Sequence, residues 1–126
     1  MKNKFILAIV SILLLTVGNP TFAEQVTQKL TQDEYNQRIQ EYTDQVNSTK
    51  HILDEEIQTQ QNAAQQRKAF CSRLEAYQAI AQISKENSQL ETANMMLIIA
   101  NNFLDRQKQS MQASGMTLEA FCLIEK

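Results

Sequence analysis

The chain contains no tryptophan, a single proline and two glycines in 126 residues. Pro20 and Gly18 both fall within the first twenty positions, so Gly115 alone serves everything that follows. A sheet protein needs turn residues every several positions to reverse its strands. This chain lacks them, and a β architecture is excluded. One remaining glycine also rules out a phosphate-cradling loop, and no nucleophile elbow or pair of carboxylates in an apolar setting is present. The single histidine, His51, lies one turn before Asp54 and Glu55. One imidazole and two carboxylates on one helix make a poor metal cage, so His51 is expected to be a solvated side chain. No catalytic, cofactor-binding or metal-ligating residue is assigned, and the chain is not expected to be an enzyme.

Excess positive charge is missing as well. The opening "MKNKFILAIVSILLLTVGNPTFA" has a short basic start at Lys2 and Lys4, an apolar run from Phe5 to Val17, and small residues at Thr21 and Ala23. That pattern is a secretory signal with cleavage expected after Ala23. The run is shorter than the roughly 20 residues that a membrane-spanning helix needs, so no stable anchor is expected after cleavage. Without Lys2 and Lys4, 10 of the 12 basic residues face 14 acidic ones, a net charge of −4. Such a balance argues against nucleic acid and against electrostatic docking on anionic lipid. The expected location is periplasmic or secreted.

What remains is rich in Gln, Ala, Leu, Ile and Glu, all compatible with helix. The expected fold is all-α: a small bundle of three to four helices with a long N-terminal amphipathic helix, stapled by one disulfide. The first helix starts at "LTQDEY", where Thr31 as N-cap and Glu34 three residues on form a capping box and Leu30 is placed to staple onto Tyr35. Tyr35, Ile39, Tyr42, Val46 and Leu53 then make an apolar seam of heptad type. Seventeen glutamines, concentrated between Gln25 and Gln66, give this half a weakly charged surface. The seam has two covers open to it: the rest of the chain, or a partner, either another protein or a second copy. It is the candidate partner-binding surface. The polar stretch "QTQQNAAQQRK" reads as an exposed continuation of the helix or a frayed linker.

A second helix carries Phe70, Leu74, Tyr77, Ile80 and Ile83 and is expected to stop at Asn87 in a left-handed cap. Ser88 with Glu91 reads as a second capping box opening a third helix. There the stripe Leu90, Ala93, Leu97, Ala100, Leu104 and Met111 is widened by Met95, Met96, Ile98, Ile99 and Phe103. A helix apolar on most faces is expected to be the buried, central one. Gly115 and Met116 fit a Schellman ending, and Thr117 caps a short last helix. Three parts follow: the signal at 1–23, a Gln-rich amphipathic arm at 24–68, read as semi-independent, and a disulfide-closed hairpin with a short final helix at 69–126.

The triplet Ala-Phe-Cys occurs twice, ending at Cys71 and Cys122, the only cysteines. In an oxidising compartment an even count is read as a disulfide. At about 1.5 Å per residue, the second helix climbs some 26 Å beyond Cys71 and the third descends roughly 37 Å. The last helix then rises about 8 Å to Cys122, which brings the two thiols level. A Cys71–Cys122 bond closing about fifty residues stabilises by roughly 4 kcal/mol through the unfolded chain, with each preceding phenylalanine packed beside it. The spacing is unlike that of redox-active pairs, which sit close in sequence. The bond is expected to be structural.

With chemistry absent, the function expected is interaction: an exported accessory, adaptor or inhibitor subunit of an envelope or secretion system. The alternative is a holdase-type chaperone for unfolded exported proteins, with Met95, Met96, Met111 and Met116 as an adaptable surface. "LTQDEYNQRI" is similar to the Leu-Thr-x-x-Gln helix starts of small periplasmic stress chaperones, with Glu34 where that motif has Gln. The similarity is confined to one capping box, and no membership follows from it.

Overall fold

The structure, a computed structural model, describes residues 29–123. The signal pattern and its cleavage point lie outside the described residues. Those described form five helical segments and no strand: α1 (Gln32–Ser48), α2 (Lys50–Leu53), α3 (Gln60–Glu86), α4 (Ala93–Ala113) and α5 (Leu118–Leu123). The all-α bundle and its disulfide are as the sequence reading expects. None of these helices is long and apolar enough to cross a membrane.

The starts and stops follow local chemistry. The Thr31 hydroxyl accepts from the Glu34 N–H at 3.3 Å, while the Glu34 carboxylate accepts from the Thr31 N–H at 2.8 Å, completing the capping box. These bonds hold the Glu34 carboxyl below its ordinary value, the backbone bond being the larger cause. At the other end of the chain, Gly115 at φ +71° follows α4, and the Met116 N–H reaches back to the Met111 carbonyl at 3.0 Å. That is the Schellman pattern, with a glycine where only a residue without Cβ is unstrained.

Helix α3 is the centre of the molecule. It touches α1, α2, α4 and α5, whereas α1 and α4 do not touch one another. The chain therefore packs α1 and α4 on different sides of one long helix. The expectation that the third predicted helix would be central is overturned. Apolar residues all round α4 measure how much cover that helix would accept, not how much the fold supplies.

Two boundaries also differ from expectation. The Gln-rich stretch begins α3 behind the Thr59 cap, whose hydroxyl accepts from the Asn62 N–H at 3.1 Å. The divide expected between residues 68 and 69 thus falls inside an unbroken helix, and the interruption comes earlier, between Asp54 and Thr59. At the α3–α4 turn, Asn87 is not left-handed (φ −120°), and the Ser88–Glu91 box does not form. Residues 87–92 make a turn instead, and α4 opens behind Thr92 at φ +63°. The cause is tertiary. The buried Asn87 side chain donates to the Ile83 carbonyl at 2.9 Å and accepts from the Leu30 N–H at 2.8 Å. The Glu91 N–H donates to the Gln32 side chain at 2.8 Å. Contacts across 57 and 59 residues outweigh a local box.

Candidate interaction surface

The seam of α1 is placed against α3. Tyr35 is fully buried, and its hydroxyl meets the Ser84 hydroxyl at 2.8 Å. One helical length further on, the Gln45 side chain donates to the Ser72 carbonyl at 2.9 Å and to the Ser72 hydroxyl at 3.1 Å. At the end of α1, Arg73 donates to the Thr49 hydroxyl at 2.9 Å and to the Val46 carbonyl at 3.2 Å. As the chain advances from Tyr35 to Thr49 its partners on α3 retreat from Ser84 to Arg73, the signature of antiparallel helices in fixed register. Arg73 also brings positive charge to the carbonyl end of α1, where it is favourable. Ile39, Tyr42, Val46 and Leu53 are half-buried along the same stretch. Helix α1 thus packs on α3 through Tyr35, while the other four residues of the seam read as a candidate partner-binding surface keep part of their surface in solvent.

Cover runs out on α4 instead. Ala93 and Ala100, seven residues apart, are completely buried and mark the line along which α4 lies on α3. Tyr77 and Phe103 stack at 4.0 Å beside that line. At about 100° per residue, Met95, Ile98 and Ile99 point to the far side. They are 54%, 61% and 45% exposed. Spacing of three and four places them as neighbours on one face. Among the described residues, the other exposed large apolar side chains, Ile57, Met116 and Leu123, lie in a loop, a turn and the short last helix. Single exposed apolar residues are ordinary, whereas a contiguous set marks a surface.

By sequence, the apolar girth of α4 places Ile98 and Ile99 in a core, whereas the fold exposes them. The signal that places them outside was present in the small residues: alanines at 93 and 100 are what a close helix–helix approach requires, and they face away from Ile98.

Cys71 and Cys122 are bonded, with Cα atoms 5.7 Å apart. Phe70 and Phe121 meet edge to face at 5.7 Å beside the bond, as the repeated triplet suggests. Shallow depressions flank the disulfide, one of about 260 Å³ lined by Leu74, Gln78 and Leu118, the other including Lys68 and Ser72. Both are open to solvent, and the second is polar, with Arg67, Lys68, Ser72 and Glu75 around it.

His51 is exposed on α2, with Asp54 and Glu55 in the bend that follows. Among the described residues, no three His, Cys, Asp or Glu side chains are placed to hold a metal ion. No protein-family model, curated protein or solved structure matches the chain.

Proposed function

We propose that the protein is an exported, non-enzymatic interaction protein that binds another protein chain through the outer face of α4. Its place is that of an accessory, adaptor or inhibitor of an envelope or secretion machine. One observation carries the reading: Met95, Ile98 and Ile99 form a contiguous apolar set with no cover among the described residues. A disulfide between the only two cysteines and a signal-type N-terminus support export to the periplasm or beyond it. The apolar seam of α1, the other candidate surface, is half-buried or buried along its length, which favours α4 over it.

The test is site-specific photocrosslinking in producing cells, with the photoreactive residue at position 98 in one strain and at position 39 in another. Position 98 is expected to give adducts with another protein and position 39 none of comparable yield. Adducts from position 39 alone would move the interface to α1 and overturn this reading.

A second reading, a holdase-type chaperone, is favoured by Met95 and Met116, which are exposed and present pliable thioethers to solvent. In the same experiment a chaperone gives a broad ladder of adducts with unrelated exported proteins, and a dedicated accessory gives one or two bands.

A further inference from the structure

Helix α5 is held lightly. It spans six residues, Leu118–Leu123, and none of them is buried. A helix this short does not form alone in water, so its shape depends on what fastens it. Among the described residues its hydrogen bonds are local: the Thr117 hydroxyl accepts from the Ala120 N–H at 3.1 Å, and the Thr117 carbonyl from the Phe121 N–H at 3.1 Å. Its fastenings to α3 are the Cys71–Cys122 bond and the edge-to-face pair of Phe70 and Phe121. It also lies against α4, again without burying any of its own residues.

The buried side chains belong to the other helices. Tyr35, Leu74, Ile80, Ala93 and Ala100 lie on α1, α3 and α4, and the Tyr35–Ser84 and Arg73–Thr49 bonds tie α1 and its end to α3. None of these polar ties runs through α5.

The bond is also within reach of a reagent. Cys71 and Cys122 are each half-buried, and the depressions that flank the bond are open to solvent. The two sulfurs differ in their surroundings. Arg67 and Lys68 precede Cys71 by one turn, Glu119 precedes Cys122 by one turn, and Glu75 borders both depressions. Positive charge stabilises a thiolate and makes it the better leaving group.

We infer that the Cys71–Cys122 bond is a reducible clasp: a dithiol opens it, α5 leaves α3, and α1 to α4 stay folded. One thiolate of the dithiol attacks the Cys122 sulfur, a new S–S bond forms there, and Cys71 departs as a thiolate beside Lys68. The second thiol of the reductant, deprotonated, then displaces the Cys122 sulfur. The reductant ends as a disulfide, and its two electrons and two protons end on Cys71 and Cys122. Release of α5 takes Phe121 from Phe70 and Leu118 from the depression that Leu74 also lines. Phe70 and Leu74, four residues apart, share one face of α3, and opening turns that face to solvent. The device does not depend on what binds the outer face of α4.

The test is reduction of the full mature chain by dithiothreitol, followed by hydrogen exchange read by mass spectrometry. The reduction rate is expected to rise in proportion to dithiothreitol concentration, without a plateau. After reduction, amides of residues 120–122 should exchange on the order of tenfold faster than before, while those of residues 76–84 stay clearly protected. The double variant Cys71→Ala, Cys122→Ala should show the same pattern with no reductant present. Lys68→Gln should slow reduction about threefold and leave the melt of the oxidised protein unchanged. Brief exposure to glutathione, quenched in acid, should leave the glutathione on Cys122.

A rate that levels off at low dithiothreitol would mean that the bond is reached only after unfolding, and would overturn the inference. So would loss of protection over residues 76–84, since the bond would then hold the whole fold, or unchanged exchange over residues 120–122. Glutathione on Cys71, or an unaltered rate in Lys68→Gln, would overturn the path of attack.

Discussion

Two apolar faces of this molecule meet different fates. Along α1, apolar side chains alternate with groups that reach across to α3: the Tyr35 hydroxyl, the Gln45 amide and the Thr49 hydroxyl each find a partner there. Along the outer side of α4, Met95, Ile98 and Ile99 are as apolar as anything on α1, yet among the described residues no helix lies over them. The difference shows that apolarity alone does not say whether a face is core. Polar groups spaced to match a partner helix bind a face to its own chain, because a buried hydroxyl or amide left unsatisfied costs about 1–3 kcal/mol. Among the described residues, the outer face of α4 makes no such bond to another helix.

The largest effect that sharpens this comparison involves neither face. Replacing both Cys71 and Cys122 by Ala removes a cross-link closing 51 residues. It is expected to lower unfolding free energy by roughly 4 kcal/mol through the denatured chain. Below the lowered midpoint, partner binding at Ile98, read by crosslinking from position 98, should persist, since α4 lies on α3 along Ala93 and Ala100 without the bond's help. Loss of binding in a variant that is still folded would mean that α5 shapes the face.

Breaking the sealed side comes next. Tyr35→Ala empties a fully buried aromatic site and strands the Ser84 hydroxyl, and should cost about 3 kcal/mol in chemical denaturation. A cost under 1 kcal/mol would show that α1 is not held on α3 as described.

These predictions also mark how far the sequence could be read. Thr31 with Glu34, Gly115 with Met116, and the paired Phe-Cys dipeptides act over a few residues or at a single cross-link, so their patterns survive in the linear order. The centrality of α3 does not. It depends on which side of a helix receives neighbours, and Ile98 and Ala100 differ in that by geometry rather than by composition. The late start of α4 was hidden for a similar reason, because Asn87 bonds to Leu30 and Glu91 to Gln32 only once the chain has folded.

A smaller effect of opposite sign is expected at that turn. Thr92 is a β-branched residue at φ +63°, a conformation that costs roughly 1–2 kcal/mol outside glycine. Thr92→Gly relieves this at some expense in unfolded-chain entropy, and a gain of about 0.5 kcal/mol is expected in the same denaturation assay. A loss would mean that the Thr92 side chain contributes a contact of its own.

Smallest is the response to acid at the start of α1. The folded state holds the Glu34 carboxyl below its ordinary value. Its contribution is therefore full above the unfolded-state pKa and fades as pH falls through the lower folded value. Glu34→Gln, which keeps a side-chain acceptor for the Thr31 N–H, should flatten a slight acid-side decline in the melting temperature and leave neutral-pH stability nearly unchanged. An undiminished decline would assign it to other carboxylates.

The claim on which the account turns is that the outer face of α4 is uncovered by the protein's own chain. Chemical denaturation of the mature Ile98→Asp variant, alone in solution, tests it most directly. With Ile98 in solvent, the unfolding free energy should stay within about 0.5 kcal/mol of wild type, as exposed positions do. A loss of 2 kcal/mol or more would mean that a carboxylate had been forced into an apolar contact, and that the face is core after all.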